Sequence, residues 1–347
     1  MNIFFRVDAN GQSASGHVVR CLTLADAFEE KSIHCEFIVA DEQSTWLIKE
    51  RGYKFTILNS QYNKMDDELE NLVRIIREKE IRLMVIDSYF VTEYYFNILS
   101  KFTKLIYFND LFEIPFSVDM LITYGNLSTR VNYKAIYEDL KDKKPYVLQG
   151  REYTPLRKEF QNSNYSIRDK VRNVFITVGG SDRNDFLFEV IGNLCEIKSL
   201  NYHVVVGVYN ESIRKIKDVY GKKNNVNIYE RCNCMCELMN KCDIAITAGG
   251  TTLYELCSVG VPAICVCLDS TQEKIVEEMR NKEIVFYAGN AITERNNTLK
   301  NIVDGVCILS ENYSLRKKYA DKMHRLVDGN GTKRIINKII EVFKINL

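Results

Sequence analysis

Runs of four or five apolar residues alternate along this chain with longer segments of helical period, and few folds accommodate that alternation. Strand-like runs fall at Ile3–Val7, Cys35–Val39, Phe55–Leu58, Leu83–Ile86, Leu105–Phe108 and Met120–Thr123. Between them, Val18–Glu30, Glu68–Lys79 and Thr92–Lys101 carry apolar residues at helical spacing. Strands and helices of these lengths in alternation predict parallel sheets with helices on both faces. A polar stretch at residues 125–170 interrupts the pattern, which then restarts. The second series predicts strands at Val174–Thr177, Tyr202–Val206, Val226–Tyr229, Ile244–Thr247, Ala263–Val266 and Ile284–Tyr287. A restart predicts two Rossmann-like α/β domains, at residues 1–150 and 151–347, rather than one barrel. Residues 294–347 have helical period only and are expected across the C-terminal domain, a return onto the first domain being left open.

A net charge of +1 over 347 residues supplies no field for nucleic acid or an anionic membrane, so local groups must hold any anionic ligand. The first residues place Arg6 within a short apolar run and lack the basic, apolar and small-residue order of a signal peptide. Eleven cysteines without such a signal predict free thiols in a reducing compartment, hence a cytoplasmic protein. Residues 244–268 are nearly apolar, but Gly249, Gly250, Glu255, Gly260 and Pro262 break them into strand, helix and strand, so no membrane span is expected. Cys232, Cys234, Cys236 and Cys242 lack a second knuckle pair, and they are expected, like Cys257, Cys265 and Cys267, to pack as small apolar side chains rather than to hold zinc.

Four strand ends carry candidate chemistry in the first half. After the first strand, a polar loop containing Gly11 and Gly16 leads into a helix near His17. Ligands of open α/β sheets bind at the carboxyl ends of strands, where such loops sit. The positive end of the helix disfavours imidazolium, which suits His17 to act as a neutral general base; a purely structural histidine is the competing reading. Val85-Ile86-Asp87-Ser88-Tyr89 ends another strand, with Asp87 and Tyr89 placed to meet sugar hydroxyls or to orient His17, or Asp87 merely to cap a turn. Asn109-Asp110 and Asn126 repeat the arrangement, which predicts a shared polar rim.

In the second half, Gly179-Gly180 follows a strand, and Gly249-Gly250-Thr251-Thr252 joins a strand to a helix. Glycines let backbone amides approach an anion closely, and a helix N-terminus favours a pyrophosphate. Glu255, one turn into that helix, is expected to accept from a ribose diol; an ordinary helix start accounts for the same residues less specifically. Two glycine-rich strand ends in one domain favour a nucleotide site.

These motifs resemble those of the UDP-sugar hydrolases of pseudaminic acid biosynthesis, within the spore-coat-polysaccharide-type group of GT-B proteins. The matching stretches are Gly16-His17-Val18-Val19-Arg20-Cys21, Ile86–Tyr89, Asn109-Asp110, Gly150–Phe160, Gly179–Asp182, Ala248–Pro262 and Asp328–Ile335. The C-terminal motif is also similar to that of the peptidoglycan N-acetylglucosaminyltransferase. The resemblance implies a GT-B fold, two parallel sheets facing a central cleft, with the nucleotide against the C-terminal domain. It also implies hydrolysis of UDP-2,4-diacetamido-2,4,6-trideoxy-β-L-altropyranose to UDP and free sugar, in nonulosonic acid biosynthesis, without metal or cofactor. It makes His17 the base or water-positioning group, places Tyr89 in the active site and sets Gln272 near the substrate. Two departures stand out: Asn109-Asp110 replaces a usual Asp-Asp, and Thr271-Gln272 replaces Asn-Gln. An inverting GT-B glycosyltransferase using a UDP-amino sugar, or a binding protein without turnover, are the alternative readings.

Overall fold

The computed structural model describes the chain apart from residues 1, 9–15, 126, 139–143, 164–165, 181, 183–184, 208, 231, 233 and 347. It resolves into two α/β units, residues 1–158 with 330–347, and residues 159–329.

The first unit holds β1 (Ile3–Val7), β2 (Cys35–Val39), β3 (Lys54–Ile57), β4 (Leu83–Asp87), β5 (Lys104–Phe108), β6 (Met120–Thr123) and β7 (Tyr146–Gln149). All pair in parallel in the order β3-β2-β1-β4-β5-β6-β7. The chain builds outward from β1 to β3, then crosses back to lay β4 on the other side of β1. Val7 stands opposite Asp87, so the carboxyl ends of β1 and β4 lie side by side where the strand order reverses. In a doubly wound sheet that reversal opens the crevice in which ligands bind.

The second unit repeats the plan with β8 (Asn173–Thr177), β9 (Asn201–Val206), β10 (Val226–Glu230), β11 (Ile244–Ala248), β12 (Ala263–Cys267) and β13 (Phe286–Asn290). Its order is β10-β9-β8-β11-β12-β13, with Thr177 beside Thr247 at the reversal.

The central strands β1, β4, β11 and β12 are buried at every position, which is why they read as unbroken apolar runs rather than alternating ones. Arg6 in β1, like Asp87 at the end of β4, is an exception in composition, and Arg6 is fully buried. Its Nε and Nη2 donate to Glu68 Oε1 and Oε2, each at 2.7 Å, and Nη1 donates to Asp8 Oδ2 at 2.5 Å. Tyr95 and Ser60 hydroxyls also donate to Glu68, so each of its carboxylate oxygens has two donors.

Two local expectations differ from what is seen. Edge strand β7 falls in the stretch expected to be irregular, because its outer residue Tyr146 is 54% exposed and leaves little apolar period. Strand β13 starts at Phe286 rather than Ile284, since Ile284 N donates to Met279 O and closes the preceding helix.

The helical tail divides. Helices Arg295–Glu311 and Tyr313–Leu326 belong to the second unit, whereas Gly331–Phe343 belongs to the first. This corrects the assignment of residues 151–347 to one domain. Thr332 Oγ1 donates to Leu156 O at 2.7 Å, and Ile335, Ile336 and Ile339 are buried. Gly331 passes so close to Thr154 that a Cβ would lie 2.0 Å from its carbonyl oxygen. The helix packs on the long helix Gly16–Glu29.

Of the cysteines, Cys236, Cys242, Cys257, Cys265 and Cys267 are buried as expected; Cys232 is half-buried and Cys234 exposed at the turn before helix Met235–Lys241, so these two are not core. Among the described residues no cluster of His, Cys, Asp or Glu is arranged to hold a metal, and no helix is long and apolar enough to cross a membrane.

Candidate functional site

The first constellation assembles at the β1/β4 reversal. Helix Gly16–Glu29 begins there, placing His17 in its first turn, while Asp87 is the last residue of β4. His17 Nδ1 lies 2.5 Å from Asp87 Oδ1. An ionised carboxylate only accepts, so Nδ1 carries a proton and Nε2 is the ring nitrogen turned away from Asp87. Tyr89 packs edge-on to the imidazole, ring centres 4.4 Å apart at 82°.

Arg20, one turn along the same helix, closes the group. Its Nε and Nη2 donate to Asp87 Oδ2 and Oδ1, its Nη1 donates to Tyr124 Oη at 2.7 Å, and Nη1 pairs with Asp110 Oδ2 at 2.8 Å. Its guanidinium also lies over the Phe108 ring at 4.8 Å, and Nη2 comes within 3.2 Å of His17 Nδ1. Cys21 Sγ approaches Asp87 Oδ2 at 3.6 Å.

Burial by itself would raise the Asp87 carboxyl, but Arg20 and then His17 outweigh it, and the group is held well below the usual carboxylate range. Burial works against the Arg20 charge, and Asp110 and Asp87 more than restore it. Burial, with Asp110 next, pushes the Tyr89 phenol far above its ordinary value. The carboxylate is therefore ionised and the phenol protonated across the physiological range.

Asn109 does not join the rim. It is fully buried, its Oδ1 accepting from Phe112 N at 2.9 Å and its Nδ2 donating to Phe112 O at 2.8 Å, so it closes its own loop. Asn126, at the last of the expected strand ends, lies outside the described residues. Arg20 is the residue that sequence reasoning left without a role. A signal existed in its spacing from His17, since residues three apart share a helix face.

The second constellation sits at the β8/β11 reversal. Gly179 has φ +98°, a conformation that favours glycine, and no atom lies within 4 Å of where its Cβ would stand. The loop after β9 presses on this turn: Tyr209 N donates to Gly180 O at 2.9 Å, and a Cβ on Gly207 would lie 2.2 Å from Gly179 O. Gly250 caps helix Thr251–Val259 without a side-chain bond, in open space, with Thr251 and Thr252 half-buried in the first turn. Gly249 touches helix Ser270–Asn281, where a Cβ would meet Val276 Cγ2 at 2.3 Å and Gln272 Cβ at 3.2 Å. Gln272 Oε1 accepts from Leu268 N at 3.2 Å. Glu255 is 6% exposed and has a partner within the chain.

The glycosyltransferase family 28 C-terminal domain model matches residues 173–320. The chain is 23% identical to the spore coat polysaccharide biosynthesis protein SpsG of Bacillus subtilis, covering 96% of each protein. It is 23% identical to the UDP-2,4-diacetamido-2,4,6-trideoxy-beta-L-altropyranose hydrolase of Campylobacter jejuni, over 81% of this chain and 97% of that one. It is 24% identical to the uncharacterised protein MJ1062 of Methanocaldococcus jannaschii over 81% of this chain, spanning 59% of that longer relative. The fold matches that of MurG from Acinetobacter baumannii, with a TM-score of 0.69 at 12% identity, covering 98% of this chain and 99% of the other. With two doubly wound parallel-sheet units, the chain has the GT-B fold, and along nearly its whole length it is similar to SpsG.

Proposed function

We propose that the protein hydrolyses a UDP-linked 2,4-diacetamido-2,4,6-trideoxyhexose, of the L-altro series, to UDP and free sugar in nonulosonic acid biosynthesis. The observation that carries the reading is the bond from His17 Nδ1–H to Asp87, which leaves Nε2 as a base. In the proposed step Nε2 takes a proton from water as the water oxygen bonds to the anomeric carbon. The bond from that carbon to the β-phosphate oxygen breaks, and UDP departs with the electron pair. Asp87 balances the imidazolium that forms, and Tyr89 borders the base. A positioned general base contributes roughly 10²–10⁴-fold.

The diphosphate would meet the amides of Gly179, Gly180, Gly249 and Gly250 and the hydroxyls of Thr251 and Thr252, with Gln272 alongside. These groups and the helix dipole oppose charge building on the leaving group, so the reading asks for neither metal nor cofactor. The names of the Campylobacter and Helicobacter pylori relatives support the substrate class.

A second reading, an inverting glycosyltransferase, has one observation in its favour. Phe90, Leu111 and Ile114, in the loops after β4 and β5, are 39%, 42% and 40% exposed and could face an apolar acceptor. The discriminating experiment measures UDP release from a panel of UDP-diacetamido sugars without acceptor, in the wild type and in His17→Ala. Release from the L-altro sugar that collapses in the variant is the expected result. Release only when an acceptor is added would move the assignment to the transferase, and binding of UDP with no release under either condition would leave a binding protein.

A further inference from the structure

We propose that Arg20 and Asp110 are positioning residues that set the charge of His17, Arg20 holding the imidazole neutral and Asp110 limiting how strongly it does so. The inference deepens the proposed role of His17 as a base.

The reasoning starts from Asp87. A buried carboxylate whose one cationic neighbour is a histidine recruits the proton onto that histidine, because an unpaired buried anion is costly. An imidazolium cannot act as a base. Here the demand is met otherwise: Arg20 donates to both Asp87 oxygens through Nε and Nη2. The same Nη2 lies 3.2 Å from His17 Nδ1, where a fixed positive charge opposes a second one on the ring. Asp87 thus orients Nδ1–H without drawing the ring into a permanent ion pair.

Left alone, Arg20 would also oppose the transient imidazolium of the reaction. Asp110, 2.8 Å from Nη1 on the far side of the guanidinium, offsets part of that charge. The charged and titratable groups around His17 are Arg20 and Cys21 from its own helix, Asp87 from β4, Tyr89 from the loop after it, Asp110 after β5 and Tyr124 after β6. Among the described residues, with Cys21, Tyr89 and Tyr124 uncharged, Asp110 leaves the set less opposed to an imidazolium than Arg20 paired with Asp87 alone would be. A purely architectural arginine predicts no such ordering of charges.

The test is an NMR titration of His17 in the full chain, its ring signals assigned by their loss in His17→Gln. In Arg20→Met the ring is expected to take up its proton at a pH higher by about one unit or more, the size of effect a charge within 4–6 Å exerts. In Asp110→Asn it is expected to shift the other way. Arg20→Met should also lose turnover chiefly in kcat, partly restored by added guanidinium. No change, or a shift of the same sign in both variants, would overturn the proposal. Should Arg20→Met fail to fold, Asp110→Asn, at a half-exposed-to-buried edge, still decides through the direction of its shift. Because the titration needs no substrate, an inactive wild type would refute the hydrolase reading while leaving this result intact.

Discussion

Asp87 Oδ1 receives His17 Nδ1 at 2.5 Å, joining the last residue of one strand to the first turn of a helix 70 residues earlier. The bond exists because β4 lies directly against β1, so a loop after the first strand and the end of the fourth share one crevice.

Replacing Asp87 by Asn separates chemistry from binding. The variant should release UDP at least about 10²-fold more slowly, since an amide can fix the wrong tautomer, while UDP affinity measured by calorimetry stays near wild type. It also leaves Arg20 buried with one partner fewer, at a cost of about 3–5 kcal/mol in denaturant unfolding. The sign with pH follows from the depressed carboxyl of Asp87. Its contribution is fully present above the unfolded value near about pH 4, and is lost as pH falls through the lower folded value. The stability gap between wild type and Asp87→Asn should therefore narrow on acidification below about pH 4.

Tyr89 should impose no alkaline limb on the rate. Burial and Asp110 keep its phenol protonated well beyond the ordinary tyrosine range. A kcat/KM profile in pH should stay flat with respect to this group up to about pH 10, and Tyr89→Phe should leave the shape of that profile unchanged. A basic limb that disappears in Tyr89→Phe would contradict this.

Gly207 should matter for nucleotide binding although it lies in neither glycine pair. A methyl group there would stand 2.2 Å from Gly179 O and 2.5 Å from Gly180 O, so the turn after β8 must move. Gly207→Ala is expected to weaken UDP binding by about tenfold or more, equivalent to roughly 1.4 kcal/mol, with no change at the His17 cluster by NMR.

Ile339 tests the return of the last helix. It is fully buried in the first unit, and Ile339→Ala should cost about 2–5 kcal/mol. Limited proteolysis should then cut first within residues 1–158, whereas a tail belonging to the second unit would open residues 159–329 instead.

Much of the fold was legible because the central strands are buried on both faces and appear as unbroken apolar runs. Ile3–Val7, Cys35–Val39 and Met120–Thr123 are read to the residue. Edge strand β7 was not, because a strand with one wet side and an exposed Tyr146 has too little apolar period to stand out. His17, Asp87 and Tyr89 were recognisable as strand-end polar groups, and the structure brings all three together. Asn109 had the same local appearance but turns inward, since the choice between rim and loop closure depends on where Phe112 and Tyr133 sit.

The sequence by itself determined the local elements, the two-part α/β plan and the residue types at each strand end, because periodicity and turn chemistry act over a few neighbouring residues. The tertiary structure decided what depends on strand order. It set β4 beside β1, turned Arg20 onto Asp87 and Asp110, and brought the last helix back to the first unit. Those outcomes rest on packing between segments far apart in the chain, where side-chain spacing carries no information about which surfaces meet.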